Sequence, residues 1–261
     1  MRSILLVVLP HLVGTPQTDA SKKKTRSYLA FPYGVLTLAS YIKRYATNLS
    51  AVEILDLNLP NECSPEDVFI DKFKAMQPDI VGFSLSYDVS YPWLHSLLKI
   101  VKASPIRTYT VAGGPATTTA YTEILGETEL DACCYSEGET ALKNLIDCED
   151  LDVGIQQDPW VTREKLARKH ITKPLYDDLD KIVDVDYTLV DVPAYSMKEA
   201  FSPFTKFNAN SKQFFIVTSR GCPFKCVFCA EPSFHGANMR YVSVDKAVDH
   251  VARLQQEYGL T

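Results

Sequence analysis

The sequence has no apolar run long enough to cross a membrane. A membrane helix needs roughly 18 or more consecutive apolar residues, whereas the run that starts at Ile4 ends at Pro10. That run also lacks a small-residue cleavage site, so it is typical of a buried strand and not of a signal peptide. We therefore predict a cytoplasmic protein without a membrane span.

Excess positive charge is absent as well. The 261 residues include 27 lysines and arginines against 32 aspartates and glutamates, for a formal net charge of −5. Nucleic-acid binding needs clustered basic charge. The one basic cluster, at residues 22–26, lies in a stretch rich in Thr, Ser and Asp that is typical of a solvated loop. This pattern argues against nucleic acid as a partner.

A disulfide framework is also excluded. The seven cysteines are odd in number, and a chain expected in the cytoplasm keeps its thiols reduced. Four cysteines are scattered along the chain and are most simply small apolar residues. The other three, Cys222, Cys226 and Cys229, fall within eight residues of one another.

The first 150 residues alternate strand and helix patterns. Strands are predicted at residues 4–9, 52–57, 80–85, 108–112 and 131–135. Helices are predicted at residues 34–46, 65–76, 92–103, 120–125 and 139–148. Strands separated by helices pair in parallel through right-handed crossovers, and short apolar strands suit a sheet covered on both faces. We predict an α/β fold with a flavodoxin-like, doubly wound parallel sheet, whose ligands bind at the carboxyl ends of the strands.

Three segments are predicted: a domain at residues 1–150, a linker at 151–210, and a unit at 211–261. Alternating aspartates and scattered prolines indicate the linker, with one short helix at residues 162–169. The last unit has a predicted strand at residues 214–218, a loop through the cysteines, and a helix at 244–258 capped by Ser243. The apolar stripe of this helix is Val244, Val248, Val251, Leu254 and Tyr258.

The cysteine loop has the spacing C-x3-C-x2-C, formed by Cys222, Cys226 and Cys229. Three thiolates at this spacing can wrap one metal centre, and thiolates suit iron–sulfur clusters and zinc. In a four-iron cluster, three cysteines leave one iron open to a substrate or cofactor.

Two other interpretations of the three cysteines stay open. Their spacing is that of one helix face, so they could form a buried stripe, although Gly221 and Pro223 favour a loop. They could also bind zinc with His235 as a fourth ligand, although that C-x5-H spacing fits no common zinc module.

The loop closely resembles the radical SAM signature, in which an aromatic residue, here Phe228, precedes the third cysteine. The resemblance implies that Cys222, Cys226 and Cys229 hold a 4Fe–4S cluster, whose open iron binds the amino and carboxylate groups of S-adenosyl-L-methionine (SAM). It implies reductive cleavage of SAM to a 5′-deoxyadenosyl radical that takes hydrogen from unactivated carbon. Phe228 would pack near the adenine, and the protein would supply binding and exclusion of water.

Other stretches resemble the cobalamin-binding domain that precedes the barrel of one radical SAM subfamily. They lie at residues 31–39, 81–84, 111–115, 136–139 and 173–179. Their order ahead of the cysteine loop implies a cobalamin-dependent radical SAM enzyme with a cobalamin-binding, Rossmann-like domain. The last unit would then be the first β/α unit of a barrel that needs about 150–200 further residues, so we expect a fragment that is inactive alone.

The resemblance implies a set of cobalamin contacts. Gly113 and Gly114 let the backbone approach the cobalamin tail closely, Ser84 offers a hydroxyl, and Glu137 with Gly138 forms the turn after the fifth strand. Two alternatives stay open: an ordinary turn at the paired glycines, and helix-dipole stabilisation for Glu137 and Glu139.

His11 is a possible cobalt ligand, but its motif is incomplete. Methyltransferase-type cobalamin domains carry D-x-H-x-x-G, and here Leu9 stands where the aspartate would be, while His11 and Gly14 are kept. A ligating histidine normally needs a partner on its other ring nitrogen, so the lower face of cobalt stays undefined.

The expected function is methyl transfer to an unactivated carbon of a small-molecule substrate, or a related radical cyclisation. An electron donor such as flavodoxin or ferredoxin would be a partner. No catalytic residue is assigned. Two other functions stay open: a cobalamin-binding sensor or carrier module with a metal-binding cysteine loop, and a radical SAM enzyme whose N-terminal domain no longer binds cobalamin.

Overall fold

The computed structural model describes residues 1–11, 30–167, 171–173, 175–176, 178–195 and 214–259, and it confirms the predicted doubly wound sheet. The strands of this sheet are β1 (Arg2–Val8), β2 (Leu49–Asp56), β3 (Ile80–Ser84), β4 (Tyr109–Gly113), β5 (Ala132–Cys134) and β6 (Trp160–Val161). They lie in the order β2-β1-β3-β4-β5-β6. The first five pair in parallel in the flavodoxin order, and β6 is antiparallel to β5.

The predicted helices connect these strands. They are α1 (Tyr33–Tyr45), α2 (Pro65–Met76), α3 (Tyr91–Lys102), α4 (Pro115–Glu127) and α5 (Glu139–Asp147), and a short α6 (Leu151–Gly154) follows. At the start of α2, the Ser64 hydroxyl accepts a hydrogen bond from the Asp67 amide at 3.1 Å, as its sequence predicts. The fourth helix begins earlier than residue 120, because Pro115 occupies its first turn.

Two apolar layers cover the sheet. Along β1, Leu5 and Val7 pack into the layer of α2, α3 and α4, whereas Ile4 and Leu6 pack into the layer of α1 and α5. All four side chains are buried. Strands that alternate between two buried layers must be apolar throughout, which explains the continuous apolar runs in the sequence.

The expected linker takes part in the fold. Trp160 and Val161, both buried, form β6 at the edge of the sheet, a strand that the sequence analysis did not predict. The helix predicted at residues 162–169 is wrong where it is described, because the structure has only a 3₁₀ turn, Arg163–Lys165, and residues 168–170 lie outside the described residues.

The last unit also differs from expectation. The strand predicted at residues 214–218 is irregular, and the strand β7 (Ser219–Arg220) pairs antiparallel with β8 (Arg240–Tyr241). A short helix α7 (Glu231–His235) lies between them, and α8 (Val244–Tyr258) follows. The Ser243 hydroxyl caps α8, as predicted.

The apolar stripe of α8 is only partly buried. Leu254 is fully buried, whereas Val244, Val248 and Val251 are 76%, 61% and 45% exposed. The periodicity therefore predicted the helix correctly, although the stripe's valines are exposed in this chain. In the described part of the chain, no helix is long and apolar enough to span a membrane.

Candidate functional site

A cavity of about 360 Å³ opens at the carboxyl ends of β1, β3, β4 and β5. This is the edge of the sheet where doubly wound folds bind ligands, and the volume is typical of a small-molecule site. Its wall includes every residue that the resemblance assigned to cobalamin: His11, Ser84, Gly113, Gly114, Glu137 and Gly138. Each follows or ends a strand, so the parallel register brings them to one place.

Gly113 and Gly114, which are neighbours in this wall, differ in how much the backbone there requires glycine. Gly114 has φ +114°, and a Cβ there would lie 2.7 Å from the backbone oxygen of Leu85, so the turn itself needs glycine. At Gly113 a Cβ would meet only the Cβ of Cys134, at an ordinary 3.6 Å. The ordinary-turn interpretation thus accounts for Gly114, whereas the backbone at Gly113 would accept a side chain without a clash.

The His11 ring has an unused nitrogen in the same wall. The backbone amide of His11 donates to Asn58 Oδ1 at 2.8 Å, and the imidazole ring lies 5.2 Å from the ring of Tyr87. Its Nε2 atom is buried and has no hydrogen-bond partner among the described residues. A buried, unsatisfied nitrogen is what a bound ligand would satisfy. Gly14 and the basic cluster at residues 22–26 lie outside the described residues.

Five charged or titratable side chains meet at this wall, and we name them the buried ion cluster: Glu137, Glu139, Arg220, His235 and Arg240. Arg240 donates from both terminal guanidinium nitrogens, Nη1 and Nη2, to the Glu137 carboxylate, at 2.9 and 2.6 Å. His235 Nδ1 donates to the same carboxylate at 2.7 Å. Arg220 Nη2 donates to Glu139 Oε1 at 2.6 Å. The cluster therefore joins the turn after β5 to both strands of the β7–β8 ribbon.

These partners decide the ionisation of Glu137. Burial acting alone would raise its pKa, but the hydrogen bonds from His235 and Arg240 and the charge of Arg220 lower the pKa to about 2. Glu139 lies in the first turn of α5, where the helix-dipole interpretation placed it, yet its carboxylate also binds Arg220. Both carboxylates are thus bound by protein groups while they stand in the cavity wall.

The cysteine loop is not a helix. Gly221 has φ +93°, and the Cys222 amide donates to the Gly236 carbonyl at 3.1 Å. Cys226 and Cys229 are exposed, and Phe228 is 89% exposed. The interpretation of the cysteines as a buried helical stripe is therefore wrong.

The sulfurs are not gathered around a common point. Among the described residues, no three or more His, Cys, Asp or Glu side chains are close enough together to hold a metal ion. Metal binding is coupled to folding of the segment that supplies the ligands, and here the three thiols share one loop. His235, the fourth ligand of the zinc alternative, is bound to Glu137.

Sequence reasoning missed three residues of this site. Arg220 and Arg240 carry no local signal, because their partners are 81 and 103 residues away in the chain. Ser136 adopts φ +76°, unusual for a residue with a side chain, and its hydroxyl donates to the Phe234 carbonyl at 2.5 Å. The only available hint was that Arg220 stands two positions before Cys222.

Comparison with known proteins agrees with this geometry. Residues 24–146 match the model of the B12 binding domain family. An uncharacterized methyltransferase of Pyrococcus horikoshii is 29% identical, over 97% of this chain and 52% of its own length. The cytidylyl-2-hydroxyethylphosphonate methyltransferase of Streptomyces wedmorensis is 25% identical, over 97% of this chain and 56% of its own. The chain thus spans about half the length of these relatives.

A solved structure shows the same fold. The cobalamin-dependent S-adenosylmethionine radical enzyme OxsB, with aqua-cobalamin bound, superposes on all of this chain with a TM-score of 0.68. The sequences are 17% identical, and the match covers 33% of the OxsB chain. The match at residues 24–146 and these relatives confirm the resemblance of the chain to cobalamin-dependent radical SAM enzymes.

Proposed function

We propose that the chain acts in a cobalamin-dependent radical SAM enzyme, with cobalamin in the cavity and a 4Fe–4S cluster on Cys222, Cys226 and Cys229. One observation supports this most strongly. Arg220, two residues before Cys222, itself lines the cavity whose wall holds the predicted cobalamin contacts. The two sets of residues predicted to bind cofactors are therefore neighbours.

The residues of the cavity fit a corrinoid tail. Gly113 has no side chain in the wall, Ser84 offers a hydroxyl, and the turn at Gly138 leads into the amino-terminal end of α5, where the first backbone amides have no partner within the helix. Nε2 of His11, which has no partner within the described part of the chain, is available to a ligand, although no carboxylate stands at position 9 to orient its ring.

The cysteine loop fits an iron–sulfur cluster by the chemistry of its donors. Three thiols on one loop supply three ligands, which leaves one iron of a four-iron cluster for SAM. Phe228, almost fully exposed beside Cys229, has a free ring face for an adenine. When bound, the cluster and cobalamin supply reductive cleavage of SAM and methyl delivery, while the chain binds and orients them.

The reaction that we propose is methyl transfer to an unactivated carbon of a small molecule. Three of the matching relatives are named as methyltransferases or a methylase and one as a cyclase, and this favours methyl transfer over cyclisation. Reductive cleavage of SAM consumes an electron, so the enzyme needs a donor such as flavodoxin or ferredoxin. Exposed thiols at Cys226 and Cys229 require a reducing compartment, and we place the protein in the cytoplasm.

Anaerobic reconstitution with iron and sulfide tests the proposal. The wild-type chain should take up about four irons and turn brown, and each of Cys222→Ala, Cys226→Ala and Cys229→Ala should lose most of both signals. Cys63→Ala is the matched control, because Cys63 is also exposed but lies outside the loop.

Hydroxocobalamin binding provides the second readout. The wild-type chain and all four cysteine variants should bind it, because the cavity does not depend on the loop thiols. Iron uptake that is indifferent to the three loop cysteines would refute the iron assignment, and a chain that binds no hydroxocobalamin would refute the cavity assignment.

A further inference from the structure

We propose that Glu137 is a positioning residue for Cys222, and that the buried ion cluster holds the start of the cysteine loop at a set place beside the cavity. The inference rests on the proposed function, because only there does a fixed distance between the cobalamin cavity and the iron ligand Cys222 have a role. Its structural basis is independent of any cofactor.

Two connections run from the cavity wall to Cys222. The first goes through the chain itself, because Arg220 is bound to Glu139 and only Gly221 separates it from Cys222. The backbones pack closely at Gly221, since a Cβ added there would lie 2.1 Å from the backbone oxygen of Asn238. This close packing sets the direction in which the chain enters the loop.

The second connection goes through hydrogen bonds. The Cys222 amide donates to the carbonyl of Gly236, and the residue before Gly236 is His235, which donates to Glu137. Arg240 closes the arrangement, because it binds both the Glu137 carboxylate and the His235 carbonyl, the latter at 2.7 Å. Glu137 is thus the common acceptor of His235 and Arg240, which hold the segment that is bonded to the Cys222 amide.

Burial makes these contacts matter more than surface ion pairs. The side chains of Glu137 and Glu139 are 2% and 3% exposed, and those of Arg220 and Arg240 are 11% and 9% exposed. A guanidinium stays charged at any accessible pH. Neutralising Glu137 therefore leaves buried Arg240 without its counter-ion, and the ribbon that carries it must shift to reach water.

Anchoring is confined to one end of the loop. Cys222 is partly buried and bonded through its amide, whereas Cys226 and Cys229 are exposed. Loss of the buried ion cluster should therefore change the surroundings of Cys222 and leave the other two cysteines almost unaffected. This asymmetry separates positioning from a general loss of structure.

Alkylation of the apoprotein by iodoacetamide, followed peptide by peptide in a mass spectrometer, tests the inference. Glu137→Gln and Arg240→Met should each speed the reaction of Cys222 by about tenfold or more, the effect of losing a charge-assisted hydrogen bond on local opening. The rates of Cys226 and Cys229 should stay within about twofold, since both are exposed already.

The matched control is Lys102→Met. Lys102 binds both carboxylate oxygens of Asp131 at 2.8 Å, and Asp131 lies just before β5, at the end opposite Glu137. The substitution therefore removes an ion pair beside the same strand. It should leave the Cys222 rate unchanged. Buried Cys133 reports unfolding of the whole sheet. Equal Cys222 rates in Glu137→Gln and wild type, or a rise that Cys133 shares, would overturn the inference.

A second measurement separates this inference from the proposed function. In reconstituted protein, Glu137→Gln should keep most of its iron but show an electron paramagnetic resonance spectrum different from that of the wild type. A wild-type chain that takes up no iron would refute the proposed function, while the alkylation rates would still decide whether Glu137 positions Cys222. Identical spectra in the two reconstituted proteins would count against positioning.

Discussion

Substituting the two neighbouring glycines of the cavity wall one at a time should separate folding from binding. Gly114→Ala forces a side chain onto a residue with φ +114° and ψ 174°, a conformation that costs about 1–3 kcal/mol without glycine. The new Cβ would also lie 2.7 Å from the Leu85 oxygen, so the end of β3 must shift. Together these effects should lower the free energy of unfolding by about 2–4 kcal/mol.

Gly113→Ala should behave differently. Its φ is not positive, and the added methyl would touch only Cys134 at 3.6 Å, so the free energy of unfolding should stay within about 1 kcal/mol of wild type. The methyl would instead enter the cavity. Overlap with a bound ligand costs about 1–3 kcal/mol, which corresponds to a rise of roughly 5-fold to 150-fold in the Kd for hydroxocobalamin.

Urea unfolding followed by circular dichroism gives the stabilities, and absorbance titration with hydroxocobalamin gives the Kd. The account predicts that Gly114→Ala loses stability and that Gly113→Ala loses affinity while it stays folded. Wild-type affinity in Gly113→Ala, with its fold intact, would show that cobalamin does not use this wall. Unchanged stability in Gly114→Ala would contradict the reasoning from the turn.

Three further predictions concern stability and reactivity. The pKa of Glu137 falls from 4.5 to about 2 on folding, so its interactions stabilise the folded chain by about 3 kcal/mol at neutral pH. This stabilisation is lost as the pH drops from 4.5 to about 2. The free energy of unfolding of Glu137→Gln should therefore change less with pH in this range than that of wild type. Burial raises the pKa of Cys133 to about 12, so iodoacetamide at pH 8 should modify exposed Cys63 and spare Cys133 in folded protein. Equal labelling of the two cysteines would contradict the burial of Cys133. Phe69→Ala should lower the free energy of unfolding by about 3–5 kcal/mol in urea, because Phe69 is fully buried, and a loss under 1 kcal/mol would contradict this packing.

The parts of the fold that sequence predicted well are those with local causes. Strands such as Ile80–Ser84 are apolar on both faces, and Ser64 with Pro65 marks the start of α2 through contacts within one turn. The cavity wall was predictable for a related reason. Parallel pairing places the ends of β3, β4 and β5 side by side, so residues that follow these strands must meet.

The parts that sequence did not predict depend on distant partners. The ribbon of β7 and β8 forms where Ser219 pairs with Tyr241, and strands of only two residues leave no pattern in the local sequence that predicts their pairing. Glu137 was assigned to cobalamin from the resemblance of its turn, and nothing in its sequence neighbourhood indicated Arg240 as a partner. The stripe on α8 also depends on distant partners. Periodicity predicts the helix, but it does not predict whether another element packs against Val248, which is exposed.

The most direct test of the central claim is the electron paramagnetic resonance spectrum of the reconstituted, dithionite-reduced chain, loaded with hydroxocobalamin and titrated with SAM. The account predicts a cluster signal that changes as SAM binds the open iron, in a protein that carries about one cobalt for every four irons. A cluster signal indifferent to SAM, or iron bound without any cobalt, would contradict it.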